Sequence, residues 1–356
     1  MKILAVFAAF LLMIPATAQK RSKNETPELP VITQGISYSL PRTGIRVVVS
    51  ATQTSFVPGP YSPYAEHLLG IRDAKTQAQT TWEITDVRLE TFAEPDPENT
   101  FKVIGSGAAF LQLTPAGILA GINSPAQPAA CDLVSSTSLA TVNESGKLTF
   151  SNLLDTPGLS GRSSADQRAV SAASRIIKAR NTRNDIASGM LDEFHPDGDA
   201  YEASLEELRR TEKELLQLFI GKSATEKYTF AFDYVPTGPV TGEVIFRFDE
   251  NRGFLPKSDL SGKPVMMDIV GDDALTAKIK AVQGTQTASP DYSGVYYRQP
   301  GVATVRITRE LTTIATGRAT IAQLGGIAAL PASLLDGNYS IEFHPETGAV
   351  KSILRK

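Results

Sequence analysis

The side chains able to carry out chemistry are few and scattered. The chain has three histidines, His67, His195 and His344. A catalytic zinc needs several His, Cys or carboxylate ligands converging on one point. None of the three has a second histidine four residues on, and no H-E-x-x-H run occurs. His67 follows Glu66 in what reads as a short helical turn, and His195 and His344 each precede a proline. All three therefore read as surface or turn residues. Asp192, Glu193, Asp197 and Asp199 make an acidic loop around Gly198. A calcium loop wants carboxylates at alternate positions, D-x-D-x-D, and that run is missing. Asp197 or Asp199 instead suits the start of a helix, where it caps free N–H groups and favours the dipole. Gly221-Lys222-Ser223 matches the end of a phosphate-binding loop, but the glycine required five positions earlier is Leu216. No G-x-S-x-G elbow is present. Cys131 is the single cysteine; it reads as a small core residue, and no intrachain disulfide can form. The residues predict no metal site, no cofactor and no catalytic set.

The most unusual local stretch is Pro58-Gly59-Pro60-Tyr61-Ser62-Pro63-Tyr64-Ala65-Glu66-His67-Leu68-Leu69-Gly70. Its prolines fix an extended entry, and Pro63 suits the first turn of a helix. Tyr61, Tyr64 and Leu68 then share one face. Two readings follow. The stretch is an aromatic plug that docks a short helix on a sheet, or it is a platform for a ligand or peptide, since exposed tyrosines suit recognition. On the second reading Tyr61, Tyr64 and His67 are the candidate binding residues.

Address and bulk composition narrow the function further. Lys2 precedes an apolar run over residues 3–14, and Ala16-Thr17-Ala18 gives the small-x-small pattern of a signal-peptidase site. The run is too short to span a bilayer, and no second long one follows. The reading is a signal peptide at 1–18 and a flexible leader at 19–30. Gln19, not a cysteine, stands directly after Ala18, so the expectation is an exported protein, periplasmic or peripherally associated with the outer membrane, and not a lipoprotein. The net charge of −3 leaves no electrostatic footprint for nucleic acid.

The elements that must position any site come from periodicity. Ile36, Tyr38 and Leu40 alternate, Pro41 interrupts, and Ile45, Val47 and Val49 resume: strand, break, strand. Residues 80–92 form another strand whose apolar phase changes at Asp86, the mark of a bulge. Glu94-Pro95-Asp96-Pro97 reads as a turn, residues 101–113 as a returning strand, and 147–153 as a further one. Residues 165–188 carry Ala169, Ala173, Ile176 and Ile177 at helical spacing. Tyr201, Leu205, Leu208, Leu215 and Phe219 mark a second helix that ends at Gly221. The loop between them is short, which makes the helices antiparallel, and the first is rich in Arg and Lys and the second in Glu, which gives favourable charge across the pair. Beyond Thr225 the chain returns to strands. Tyr228, Phe230, Phe232 and Tyr234 alternate, and with Val244, Phe246 and Phe248 they look like a hairpin across Thr237-Gly238-Pro239. Residues 339–343 and 349–354 make a last hairpin. The fold class is α+β, mostly β: two sandwich-like β domains (31–160 and 224–356) separated by an antiparallel helical hairpin (161–223).

Several of these stretches together resemble a known family: Tyr38-Ser39-Leu40-Pro41-Arg42-Thr43, the 58–70 segment, Thr81-Trp82-Glu83-Ile84, Glu94-Pro95-Asp96-Pro97, Pro196-Asp197-Gly198, Leu218-Phe219-Ile220-Gly221 and Tyr296-Tyr297-Arg298-Gln299-Pro300. The chain resembles an exported Bacteroidetes family classed as a domain of unknown function (family 4831). The resemblance implies an envelope location in a Gram-negative cell and transfers no catalytic residues.

The functional expectation is a non-enzymatic envelope protein that binds another envelope component, protein or glycan. The alternative is a periplasmic hydrolase of glycan or peptide, which needs converging carboxylates or a nucleophile with its base. A carbohydrate-binding module would need exposed coplanar aromatics, and the position of Trp82 in a strand predicts a core role instead.

Overall fold

A computed structural model of the chain describes residues 35–104, 110–124, 139–141, 148–150, 164–190, 198–272, 294–335 and 337–356, with three isolated positions between 273 and 278. Residues 1–30, read as signal peptide and leader, and Cys131 and His195 lie outside the described residues. In chain order the strands are β1 (Gly35–Val57), β2 (Gln79–Ile104), β3 (Leu111–Leu113), β4 (Leu119–Ile122), β5 (Leu139–Thr141), β6 (Lys222–Tyr234), β7 (Val240–Asp249), β8 (Gly253–Leu255), β9 (Lys263–Gly271), β10 (Tyr296–Arg309), β11 (Thr312–Ala329), β12 (Tyr339–Phe343) and β13 (Val350–Arg355). The helices are α1 (Ala65–Leu69), α2 (Ala165–Ser188) and α3 (Gly198–Ile220). The chain is mostly antiparallel β, with α2 and α3 as a hairpin-like pair.

Among the described residues three sheets form, in the orders β2-β1-β6-β5, β11-β10-β9-β7-β8 and β13-β12-β4-β3. The first two face each other as a sandwich. Its core takes Ile45, Val47 and Val49 from β1, Phe246 and Phe248 from β7, Val265, Met267 and Ile269 from β9, and Val305 and Ile307 from β10. Full burial of one such side chain contributes about 1.5–3 kcal/mol. A second core joins Tyr38 and Leu40 of β1 and Val103 of β2 to Leu119, Ile122, Ile341 and Phe343 of the third sheet. Along the sequence the helical pair separates two β segments. In space those segments share a sheet, since β1 pairs with β6 over Ile45–Val57, and Gly35–Lys356 is one compact unit.

The break expected at Pro41 is a bend within one long strand. Tyr38 and Leu40 serve the second core, and Ile45, Val47 and Val49 serve the first, so the burial parity changes across Pro41 without ending the strand. The Glu94–Pro97 turn is likewise not a chain reversal. Ser39 pairs with Thr100 and Pro41 with Pro95, so Leu40 alone lies opposite four residues of β2, Asp96 to Asn99. The β10–β11 hairpin repeats the device. Gln299 pairs with Gly326 and Gly301 with Ile321, so Pro300 alone lies opposite four residues of β11, Ala322 to Gly325. Proline donates no ladder hydrogen bond, which suits it to such sites.

Each excursion reaches the other hairpin. Asp96, from the β2 excursion, pairs with Arg298 of β10, whose Nε donates to the Pro41 carbonyl at 2.8 Å. Gln323, from the β11 excursion, treats Thr43 of β1 as a strand partner. Its Oε1 accepts from Thr43 N at 2.9 Å, and its Nε2 donates to Thr43 O at 3.0 Å. Thr43 Oγ1 in turn accepts from Ala322 N at 3.1 Å. The two long hairpins are clamped reciprocally by buried and half-buried polar groups that satisfy one another.

Three further sequence readings change. Residues 101–104 end β2, and Leu111–Leu113 is a separate strand of another sheet. Leu148–Thr149–Phe150 is not a strand. The runs at Tyr228 and Val244 are not a hairpin, because β6 lies in the first sheet and β7 in the second. Their apolar faces meet across the sandwich instead, with Phe232 stacked on Phe246 at 4.3 Å between ring centroids. The bulge expected near Asp86 is present: Ser50 pairs with Asp86 and Ala51 with Ile84, which leaves Thr85 unopposed.

α2 starts with a reciprocal box. Gln167 N donates to Ser164 Oγ and Ser164 N to Gln167 Oε1, both at 3.2 Å. Gly189, at φ 69°, caps the other end. Asp199 lies in the first turn of α3, and Gly221, at φ 88°, follows its last residue. The charge complementarity read between the helices is realised at Glu212, which accepts from Arg180 Nε at 2.6 Å and from Arg183. Burial pushes the Glu212 carboxyl up, but the two guanidiniums outweigh it and the net shift is downward from the usual 4.5. A depressed folded-state value gives stability that is present above the unfolded value and is lost as pH falls through the folded one. The wild-type Tm should therefore drop from about pH 4.5 downward. Glu212→Gln should cost about 1 kcal/mol at pH 7 and flatten part of that acid limb, as read by thermal melts followed by circular dichroism.

Candidate functional site

The 58–70 stretch folds as the sequence implies but docks elsewhere. A single turn at Ser62–Tyr64, with Pro63 inside it, leads into α1, and Gly70 closes α1 at φ 71°. Tyr61 is 2% exposed and packs on Phe219 of α3 at 5.7 Å between ring centroids. With Ala65 it joins Ala169, Ala173, Ile176, Leu215 and Leu218 in the core of the helical pair. The plug thus seats on the helices rather than on a sheet. Tyr61 offers no face to a ligand, which corrects its place among the candidate binding residues. Its hydroxyl has no hydrogen-bond partner among the described residues. Burial pushes its pKa up, and Arg168 pulls it partly back. Tyr64 is half-buried against the same core and His67 is exposed, so the three residues do not form one surface. His344 is exposed in the β12–β13 turn, where its carbonyl accepts from Gly348 N at 2.7 Å.

A concave surface lies along β2, beside Thr52 and Thr54 of β1. A cleft of about 530 Å³ is lined by Trp82, Glu83 and Ile84 of β2, Glu250 and Asn251 of the β7–β8 turn, and Arg309 at the end of β10, with threonines of β1 and β2. A second hollow of about 290 Å³ shares Ile84 and Arg309 and continues past Thr85, Asp86 and Val87 to Ile314. Together they make a groove along the bulged part of β2.

Local sequence explains the groove. Among the described residues β2 is the outermost strand of its sheet, so one side of its backbone has no described strand beside it. Trp82 turns its N–H to that side and donates to the Glu250 carbonyl at 2.6 Å, and the alternation of an antiparallel strand turns Ile84 the same way. The bulge at Thr85 bends the strand there. Trp82 lies against Tyr228 at 5.0 Å and edge-on to Phe254 at 6.3 Å between centroids, so the core role read from its strand position is right for one side of the ring. Its other side borders the cleft. Arg309 sits over the Phe248 ring at 4.9 Å and approaches Glu250 at 3.4 Å and Glu310 at 3.9 Å.

The only sequence signal for this site is the phase change at Asp86. Glu250, Asn251 and Arg309 are distant in the chain, and nothing local marks them. No group of three or more His, Cys, Asp or Glu able to hold a metal occurs among the described residues. Among those residues, no helix is long and apolar enough to cross a membrane. The groove offers a strand edge, an aromatic ring and acidic side chains, which are the means of holding an extended chain.

No curated protein and no solved structure matches this chain. The model of one family, described as Domain of unknown function (DUF4831), matches residues 34–351, from the start of β1 into β13. The motifs quoted above, the paired long strands and the helical pair all fall within that span, and the chain belongs to this family.

Proposed function

We propose that this is a non-enzymatic protein of the cell envelope that acts by binding another envelope component, and that the groove along β2 is its contact surface. One observation carries the reading: the bulged segment of β2 is a sheet edge that borders a cleft. Strand addition at such an edge supplies affinity through main-chain hydrogen bonds and selectivity through the flanking side chains. Export is supported by Lys2, the apolar run and Ala16-Thr17-Ala18. The envelope component is a protein on this reading, because an edge of N–H and C=O groups matches another backbone better than a sugar.

Site-specific photocrosslinking tests it. A photoreactive residue at Thr85, in the groove, should give a discrete adduct in intact envelopes, whereas the same residue at Lys351 on β13 should not. The partner so identified, once purified, should bind the mature chain and protect Thr85 from labelling. Equal adducts from both positions, or a purified partner that leaves Thr85 unprotected, would reject the groove as the contact surface. Turnover of a glycan or peptide by the purified chain would replace binding with hydrolysis.

A further inference from the structure

We infer that the groove takes an extended basic polypeptide segment, added as a strand beside β2. The inference rests on the reading of that edge as a contact surface and names the chemistry of its occupant. Trp82 N already donates to the Glu250 carbonyl, so the stretch of β2 left for an added strand is residues 84–87, about 13 Å at 3.3 Å per residue. It matches about four residues of extended chain.

Charge selects the occupant. Glu83 and Asp86 are exposed on the outer side of β2, and Glu250 stands at the mouth of the cleft. Two cations near these carboxylates are already committed. Arg88 lies 3.3 Å from Asp86, and Arg309 lies between Glu250 and Glu310. Glu83 makes no ion pair among the described residues. An acidic strand entering here would meet like charge directly across, which destabilises a strand pair. A second copy of β2 would bring the same carboxylates and suffer the same repulsion. A strand with Lys or Arg on its outer side neutralises Glu83 and Asp86, and one near the cleft also gains from the Trp82 ring. Its inner side would carry apolar residues to meet Ile84 and Val87.

Trp82 is the single tryptophan, so its emission reports on the groove directly. The test uses the mature chain and labelled eight-residue peptides alternating Val with Lys, Thr or Glu. Anisotropy should show the Lys peptide binding at least tenfold tighter than the Thr peptide and more tightly still than the Glu peptide. Its affinity should fall as salt rises, and its binding should shift Trp82 emission. N-methylation of alternate residues, which removes backbone donors and leaves charge unchanged, should abolish binding. The double variant Glu83→Lys/Glu250→Lys, checked for an unchanged melt, should reverse the preference between Lys and Glu peptides. Equal binding of the three peptides, still sensitive to N-methylation, would overturn the basic occupant and keep the edge. Binding of the Lys peptide that survives N-methylation or leaves Trp82 unchanged would overturn strand addition. No binding by any peptide would overturn the edge reading itself.

Discussion

Replacing Arg298 with methionine should cost about 3–5 kcal/mol of stability, enough to unfold a marginal protein at growth temperature. Arg298 is 5% exposed and Asp96 is 6% exposed. The guanidinium donates to Asp96 and to the Pro41 carbonyl, and the Arg298 N–H donates to the Gly348 carbonyl at 3.1 Å. Burial pushes the Arg298 pKa down, and Asp96 opposes it. Removing the cation leaves a buried carboxylate and a buried carbonyl without their donor. Asp96 also organises its own excursion, accepting from Glu98 N at 3.0 Å and Asn99 Nδ2 at 2.8 Å. Arg298→Lys should not restore stability, since one ammonium cannot make the same forked contacts. Chemical denaturation of the three proteins measures this directly. A loss under 1 kcal/mol for Arg298→Met would show that the clamp between the long hairpins contributes little.

The second large effect is expected at Gly59. Tyr61 N donates to the Leu218 carbonyl at 2.8 Å, which draws the entry segment against the last turn of α3. A Cβ at Gly59 would stand 2.2 Å from that same carbonyl oxygen and 2.7 Å from the oxygen of Gln217. Both atoms belong to helix backbone and cannot move aside cheaply. Gly59→Ala should therefore lift Tyr61 from Phe219 and cost about 3 kcal/mol. Gly70→Ala provides the contrast. Its φ is 71° but nothing lies within 4 Å, so only left-handed strain of about 1 kcal/mol applies. Paired melts of the two variants test the difference, and equal losses would refute the close-approach account.

Legibility in the sequence followed the range of the interaction. Residues 165–188 and the helix end at Gly221 could be read because helix spacing and left-handed glycine caps are local. The bulge at Asp86 could be read because a one-residue insertion shifts strand phase on the spot. The pairing of Tyr228-to-Tyr234 could not be read. Alternation says that Phe232 is buried, but it does not say whether Phe246 lies beside it in one sheet or across from it in another. The Glu94–Pro97 segment shows the same limit: its turn chemistry is real, yet β1 holds the strand in register on both sides of it. Tyr61 was marked by its neighbours, and its burial was decided by Phe219, more than 150 residues away.

The chain by itself determined a mostly β body with one helical pair and a bulge at Asp86. All of these rest on near-neighbour spacing. The tertiary structure alone decided that the long hairpins clamp one another through Asp96–Arg298 and Thr43–Gln323, that Tyr61 is core, and that Glu250 and Arg309 close a groove on the β2 edge. Those arrangements join residues far apart in the chain, and which distant partners meet is settled by how the sheets stack to bury their apolar faces.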